Sequence, residues 1–282
     1  MENGDDPGVW ELVSDIPDSE LWMIRRHLKR KLVHFVRERA RIQWMHGGIH
    51  PVQIIASGVL LDPYALTIGF ARRFAPYKRG SLILHDINRL LKIVNNPSMP
   101  VQIIFAGKSH PDHEGGKMLI QEVYRTVKRA EFSGRLVFLE DYDMNLARYL
   151  IQGVDVWLNT PRRPNEASGT SGQKAALNGV LNFSVYDGWW REGSNGLNGW
   201  AIGKDIDYAD PEMQDRFDAE SLYETLENEI VPLYYQERSS DGLPGDWIAR
   251  MKESIRTLAP QFSTRRMVKE YVERMYVLAM PK

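Results

Sequence analysis

The segments ALTIGF, residues 65–70, and VQIIFA, residues 101–106, are short and almost wholly apolar. Near-continuous apolar runs are typical of strands that are covered on both faces of a sheet. Similar runs lie at residues 136–139, 154–158 and 181–186. Helix-like segments separate them, at residues 81–94, 117–130, 145–152 and 173–178. This alternation predicts an α/β fold, a doubly wound, parallel Rossmann-like sheet with flanking helices.

Helical segments flank this core on both sides. Residues 19–45 repeat apolar side chains at spacings of three and four, which indicates a long helix. Further helices are predicted at residues 219–227, 246–258 and 264–278. We divide the chain into a helical segment, residues 1–50, an α/β domain, residues 51–245, and carboxyl-terminal helices, residues 246–282. The first segment has no core of its own, so we expect it to pack on other polypeptide, within this chain or outside it.

The composition excludes several classes of protein. The 36 Lys and Arg residues nearly balance the 37 Asp and Glu residues, so the net charge of −1 creates no field that attracts nucleic acid or an anionic membrane. Without cysteine, the 282-residue chain has no disulfide, thiolate nucleophile or cysteine-ligated metal. No apolar run approaches the roughly 20 residues that span a bilayer. The acidic start is unlike a secretory signal, so we expect a cytoplasmic protein.

Two weaker signals are interpreted as structural. The cationic side of the helix at residues 19–45, which includes Arg25 and Lys29, is read as a solvated or domain-facing surface. The histidine pairs His46/His50 and His110/His113 have no matching carboxylate arrangement, so no metal site is predicted.

A basic loop follows the first strand. The sequence GFARRFAPYKR, residues 69–79, places Arg72, Arg73, Lys78 and Arg79 within eight residues of each other. Guanidinium groups suit phosphate oxygens because they donate two parallel hydrogen bonds. In parallel sheets, ligands bind outside the carboxyl ends of the strands. The loop therefore fits an anion site, although a solvated basic turn explains the charges equally well.

A glycine-rich loop, PNEASGTSGQK, covers residues 164–174. Gly169 and Gly172 allow a close approach of the backbone to a ligand, and the loop opens a predicted helix whose amino end favours an anion. Lys174 lies one turn inside that helix, where its amine could pair with phosphate or attack an aldehyde. The spacing fits neither the Walker nor the dinucleotide pattern, and an ordinary helix-entry turn is the alternative.

The third loop is EDYDM, residues 140–144. Tyr142 could stack on a flat ligand, whereas the carboxylates are better explained as caps of the following helix.

Taken together, these loops resemble the α-glucan phosphorylases, the family of the glycogen, starch and maltodextrin phosphorylases. The resemblance rests on four motifs in family order, ARRFAPYKR at residues 71–79, FAGK at 105–108, LVFLEDY at 136–142 and EASGTSGQK at 166–174. It covers about residues 61–203, and WWREG at residues 189–193 is closest to the shorter bacterial and archaeal branch. It implies the carboxyl-terminal half of a glycosyltransferase-B fold, whose amino-terminal half would be another part of the same enzyme or a separate chain.

The resemblance also implies a pyridoxal 5′-phosphate enzyme that phosphorolyses α-1,4-glucan reversibly, forming glucose 1-phosphate with retained configuration. Lys174 would hold the cofactor as a Schiff base, and the other cofactor-binding residues would be Thr170, Ser171, Gly172 and Tyr142. The substrate phosphate would be bound by Arg72, Arg73 and Lys78. The hydroxyls of the transferred glucosyl unit would be held by Glu166, Ser168 and Gly169. Lys174, Arg73 and Lys78 would be the catalytic residues.

Three departures qualify this resemblance. The animal enzymes have Gly-Asn-Met where this chain has Ser171-Gly-Gln, and usually lysine where it has Arg72. The family's enzymes are several times longer, so the isolated chain could bind cofactor without turning over glucan, because an open cleft loses positioning and low dielectric. A homo-oligomer is also compatible with the sequence.

Two other functions stay open. A nucleotide-sugar glycosyltransferase resembling glycogen synthase would usually have glutamate eight residues after Glu166, to accept hydrogen bonds from ribose. This chain has Lys174, which cannot accept them. A non-catalytic carbohydrate-binding or assembly fragment could use some of the eight tryptophans to stack on sugar rings.

Overall fold

The computed structural model describes residues 3–46, 61–132, 134–235 and 238–280. Its centre is a six-stranded sheet in the order β3-β2-β1-β4-β5-β6, in which every neighbouring pair is parallel. The strands are β1 (Leu66–Ala71), β2 (Val101–Ala106), β3 (Leu136–Leu139), β4 (Val156–Asn159), β5 (Leu181–Val185) and β6 (Gly199–Ile202). The predicted fold class is confirmed.

Helices follow the strands in alternation. Before and within the sheet these are α1 (Pro7–Glu11), α2 (Asp18–His46), α3 (Ile87–Val94), α4 (Glu114–Val127), α5 (Met144–Gly153), α6 (Thr170–Leu177) and α7 (Trp189–Gly193). After it come α8 (Pro211–Thr225), α9 (Val231–Tyr235), α10 (Gly245–Gln261), α11 (Thr264–Tyr271) and α12 (Val277–Ala279). Wider π-turns join α8 to α9 and α11 to α12. Within the described residues, no helix is both long enough and apolar enough to cross a membrane.

The sheet is covered on both faces, which explains the continuous apolar runs. On one face, Ile104 and Trp157 belong to a buried cluster with α2, α5 and α6. On the other, Ile68, Ile103 and Phe183 pack with α3, α4, α8, α9 and α10. Every residue of β1, β2, β4 and β5 is buried. Residues of both pleat directions are therefore apolar for most of each strand.

Helix α2 packs on the α/β domain of its own chain. Its residues Leu32, Val33 and Val36 are buried against α5 and the sheet. Arg25 and Lys29, on its cationic side, are both buried, so these two positions face the domain rather than solvent. The predicted boundary between residues 50 and 51 lies outside the described residues, and the division into three regions stays a prediction.

The structure adds one strand and shifts several helix ends. The sequence does not indicate strand β6, because a glycine at its start leaves an apolar run of only three residues. The predicted helix at residues 81–94 is shorter than expected, since Asp86 caps a new helix by accepting a hydrogen bond from the amide of Arg89. The predicted strand at residue 154 starts two residues later, at Val156.

Candidate functional site

The candidate site lies at the point where the order of the sheet reverses. Strands β1 and β4 are neighbours, and the chain proceeds from them toward opposite edges of the sheet. Ligands of open α/β sheets bind outside the carboxyl ends of the strands at such a switch point. The basic loop leaves β1 here, and the glycine-rich loop leaves β4. Two loops that are far apart in the sequence therefore meet at one edge.

Hydrogen bonds join the basic loop to the segment that leads from β4 into the glycine-rich loop. The hydroxyl of Thr160 donates to the carbonyls of Lys78 and Arg79 at 3.1 and 3.0 Å. The amide of Arg162 donates to the carbonyl of Tyr77 at 2.5 Å. On its other side the basic loop continues the pairing of β1 with β2, since the amide of Phe74 donates to the carbonyl of Lys108 at 2.8 Å. The basic loop is thus fixed from both sides.

Arg72 is a buried cation at the centre of the site. It is 8% exposed and lies over the ring of Phe70, with 5.2 Å between the guanidinium carbon and the ring centre. Burial lowers the pKa of Arg72 to about 10, and the charges of nearby Glu166, Tyr142 and Tyr77 oppose that shift. Among the described residues, its buried Nε has no hydrogen-bond partner. Such an unpaired buried donor is costly, and an anionic ligand would satisfy it.

Lys78 forms an ion pair with Glu166 across the two loops. The two side chains are only 12% and 7% exposed, and Lys78 also lies 4.7 Å from the ring centre of Tyr77. The residue expected at the substrate phosphate therefore contacts the residue expected at the sugar. Arg73 differs from its neighbours in being exposed.

The glycine-rich loop opens helix α6, as expected. Gly169 is the N-cap with φ of 98°, a left-handed conformation that favours glycine, and it supplies no side-chain cap. A Cβ at Gly172 would approach Asn182 Oδ1 to 2.6 Å, so this turn of α6 needs glycine to pack on β5. The helix therefore presents its first amides at the carboxyl edge of the sheet.

Thr170 and Lys174 lie one turn apart on the exposed face of α6. Ser171 is half-buried, and its hydroxyl accepts a hydrogen bond from the indole of Trp157 at 3.3 Å. This face thus combines hydroxyl groups at the helix start with an amine in its second turn.

The third loop adds Tyr142. The ring packs on the cluster that includes α5, and burial raises the pKa of its hydroxyl while Arg72 opposes the shift. Asp143 caps α5 by accepting from the amide of Leu146 at 2.7 Å, as the sequence indicated for the acids of this loop.

Arg79 does not share the environment of the other cations of the basic loop. Its guanidinium donates to Asp215 and Asp218 at 2.8 and 2.6 Å and to the carbonyls of Thr160 and Pro161. Each of its three guanidinium nitrogens therefore donates a hydrogen bond within the fold. Arg79 thus ties the loop to α8, and Arg72, Arg73 and Lys78 remain the candidates of the original cluster for an anion site.

Sequence reasoning missed the segment after β5. Asp187 accepts a hydrogen bond from the amide of Glu166 at 2.8 Å, and the amide of Trp189 donates to the carbonyl of Ser168 at 2.9 Å. The available signal was the Asp-Gly pair directly after the predicted strand at residues 181–186, which marks a turn at the same edge of the sheet.

The histidine pairs give no metal centre in the described part of the chain. No group of three or more His, Asp or Glu side chains there could hold a metal ion. His113 instead caps α4 by accepting from the amide of Gly116, while the side chain of His46 and the whole of His50 lie outside what the structure describes.

Comparisons with known proteins place the whole described domain among similar sequences. The sequence model of the carbohydrate phosphorylases matches residues 18–192. The chain is 50% identical over 276 residues to a glycogen phosphorylase of Aquifex aeolicus, covering 98% of this chain and 39% of that protein. It is 51% identical over 274 residues to a maltodextrin phosphorylase of Thermococcus litoralis and 43% identical over 274 residues to a glycogen phosphorylase of Mycobacterium tuberculosis, each covering 97% of this chain and 32% of the relative. The chain thus spans 32–39% of the length of these relatives.

Proposed function

Because the chain belongs to the carbohydrate phosphorylase family, we propose that it carries the phosphate- and glucosyl-binding part of an enzyme that phosphorolyses α-1,4-glucan. The reaction transfers a glucosyl unit to orthophosphate and forms glucose 1-phosphate with retained configuration. The observation that carries this proposal is the Lys78–Glu166 ion pair beside buried Arg72. It brings phosphate-binding and hydroxyl-binding groups together at one switch point.

The residues on α6 fit pyridoxal 5′-phosphate. A helix start with no side-chain cap suits a phosphate group, and the hydroxyls of Thr170 and Ser171 add donors beside it. Lys174, one turn further on, supplies an exposed amine for the aldehyde. When bound, this group supplies a second phosphate that can exchange a proton with the substrate phosphate.

Each residue then has a defined part in the reaction. Arg72, Arg73 and Lys78 bind the substrate phosphate and offset the repulsion between two phosphates held close together. Glu166, Ser168 and the backbone at Gly169 orient the glucosyl hydroxyls. As the glycosidic bond breaks, positive charge develops on the sugar, and the bound phosphate stabilises that charge.

We further propose that the chain works together with the polypeptide that its longer relatives also contain. The candidate site is open, with Arg73, Ser168, Thr170 and Lys174 all exposed. Helix α11 and the turns after it also expose apolar side chains, among them Met267, Tyr271 and Met275. A second domain would cover such surfaces and exclude water from the cleft.

The direct test measures glucose 1-phosphate formation from a linear maltooligosaccharide and orthophosphate, after loading with pyridoxal phosphate. The chain is assayed alone and with the amino-terminal part of the Aquifex aeolicus glycogen phosphorylase. We expect orthophosphate-dependent product with the added part. Transfer from a nucleotide sugar instead would favour the glycogen-synthase-like reaction. Glucan binding without either reaction would identify a non-catalytic fragment.

Replacing Arg73 by alanine should weaken orthophosphate binding by about 10- to 100-fold. Hydrogen bonds to charged groups contribute roughly 1.5–3 kcal/mol each, and Arg73 has an exposed guanidinium available for a ligand. The readout is the KM for orthophosphate in the active preparation. Arg216→Ala removes another exposed arginine, on α8, and should change nothing. Equal orthophosphate KM values for the Arg73 variant and the unaltered enzyme would exclude this role.

A further inference from the structure

The loop that carries Glu166, Ser168 and Gly169 has no regular secondary structure between β4 and α6. A site on irregular backbone needs contacts that fix it, because precise geometry requires a supporting set of residues. Those contacts come from the segment Asp187–Trp189, which follows the neighbouring strand β5.

Asp187 links the two segments through a single carboxylate. One oxygen accepts from the amide of Glu166 at 2.8 Å, and the other accepts from the amide of Gly188 at 2.9 Å. The side chain is 6% exposed, and burial raises the pKa of Asp187, whereas these two amide hydrogen bonds lower it. A buried carboxylate is costly unless it is hydrogen-bonded. The two amide hydrogen bonds therefore explain why a carboxylate is tolerated at this buried position.

Gly188 and Trp189 hold the same loop from the other direction. Gly188 has φ of 54°, and a Cβ there would collide with the carbonyl of Ser168 and lie 2.9 Å from that of Glu166. The amide of Trp189 donates to the carbonyl of Ser168 at 2.9 Å. The backbone of residues 166–168 therefore lies directly against that of residues 187–189.

We infer that Asp187 is a positioning residue, which with Gly188 fixes the backbone at Glu166 and so places the Glu166 carboxylate for a glucosyl hydroxyl. The inference rests on the proposed function for the identity of the ligand. Asp187 itself contacts no substrate; it acts through the amide of Glu166.

This arrangement predicts a selective effect. The backbone of the basic loop is held separately, by Thr160 and by the segment at Lys108, so that only the Lys78 side chain, through its ion pair with Glu166, depends on residues 164–169. Loosening residues 164–169 should therefore weaken binding of the glucosyl part and leave orthophosphate binding nearly unchanged. A merely structural residue would weaken both together.

Two variants disturb the contact in different ways. In Asp187→Asn, the amide oxygen can accept from only one of the two N–H groups, while the NH2 group faces the other. In Gly188→Ala, the new methyl group pushes the Ser168 carbonyl away. The matched controls are Asp210→Asn, which alters a carboxylate that caps α8, and Gly196→Ala, which has φ of 81° and open space around the added methyl.

The first readout is hydrogen–deuterium exchange of the peptide that contains Glu166, which needs no ligand or activity. We expect at least tenfold faster exchange in both site variants, with exchange in the central strands and in both controls unchanged. The second readout is kinetic, in the active preparation: KM for glucose 1-phosphate should rise about tenfold or more, and KM for orthophosphate should change less than twofold.

Normal exchange at Glu166 in folded site variants would overturn the inference, as would a parallel rise of both KM values. Should Asp187→Asn not fold, Gly188→Ala carries the test. Global unfolding of both, with folded controls, would show a general stability role and would also contradict the inference. If the proposed function itself fails, no variant shows phosphorolysis, yet the exchange measurement still decides whether Asp187 fixes this loop.

Discussion

Replacing Lys174 by alanine should abolish covalent attachment of pyridoxal phosphate, from about one group per chain to none. Lys174 offers an exposed amine on the face of α6 that also carries Thr170 at the helix start. The helix start and Thr170 would hold the phosphate of the cofactor, and Lys174 would supply the amine that reacts with its aldehyde. The measurement is incubation with pyridoxal phosphate, reduction with borohydride and mapping of the labelled peptide by mass spectrometry.

Two further variants make this result specific. Lys204→Ala removes another exposed lysine and should keep the label on residue 174. Lys174→Arg keeps a positive charge that can contact phosphate but has no amine for the aldehyde, so it should lose the label too. Undiminished specific labelling of the Lys174→Ala variant, or labelling spread over many surface lysines of the unaltered chain, would contradict the cofactor proposal.

The fold could be predicted from the sequence because its main signal is local. Strands β1 and β2 are apolar along their whole length since both faces of the sheet are covered. This pattern can be recognised in the sequence without knowing which strands or helices pack against β1 and β2. Strand β6 is not recognised in this way, because Gly199 leaves an apolar run of only three residues, and its pairing with β5 is what defines it.

The site could be predicted in outline but not in its contacts. A parallel sheet brings post-strand loops to one edge, so the meeting of the basic and glycine-rich loops follows from the strand assignment. The ion pair of Lys78 with Glu166 joins positions 88 residues apart, and no local pattern contains it. Arg79 shows the same limit, since its partners Asp215 and Asp218 lie on α8, far along the chain.

The long cationic helix α2 shows why charge patterning alone misleads about burial. Arg25 donates to the carbonyls of Gln152, Val154 and Asn178. These carbonyls lie where α5 and α6 end, at the edge of the sheet opposite the candidate site. A sequence pattern gives the face of a helix, but carbonyl groups left at the ends of other helices and strands become visible only in three dimensions.

Replacing Lys29 by methionine should lower the free energy of unfolding by about 3–5 kcal/mol, the typical cost of removing one partner from a buried ion pair. Lys29 Nζ lies 2.5 Å from Asp155 Oδ2, and the two side chains are only 3% and 4% exposed. The ammonium also donates to the carbonyl of Ala65 and the hydroxyl of Tyr234 at 2.7 and 2.8 Å. Burial lowers the pKa of Lys29, and Asp155 opposes this shift. Without the lysine, Asp155 would remain as a buried and unpaired charge.

Urea unfolding of five proteins tests this account: the unaltered chain, Lys29→Met, Asp155→Asn, the double variant and Lys117→Met. Adding Asp155→Asn to the Lys29→Met variant removes the unpaired charge of Asp155. The asparagine keeps an acceptor for the amide of Thr67, which in the unaltered chain donates to Asp155 at 2.8 Å. We therefore expect the double variant to recover about half of the lost free energy of unfolding, and the coupling between the two residues to appear in the double-mutant cycle.

Lys117→Met breaks an exposed pair with Glu114 and should cost less than about 0.5 kcal/mol. A Lys29→Met cost as small as that of Lys117→Met would mean that water reaches Asp155. In that case the pair would orient α2 without contributing appreciably to the stability of the fold.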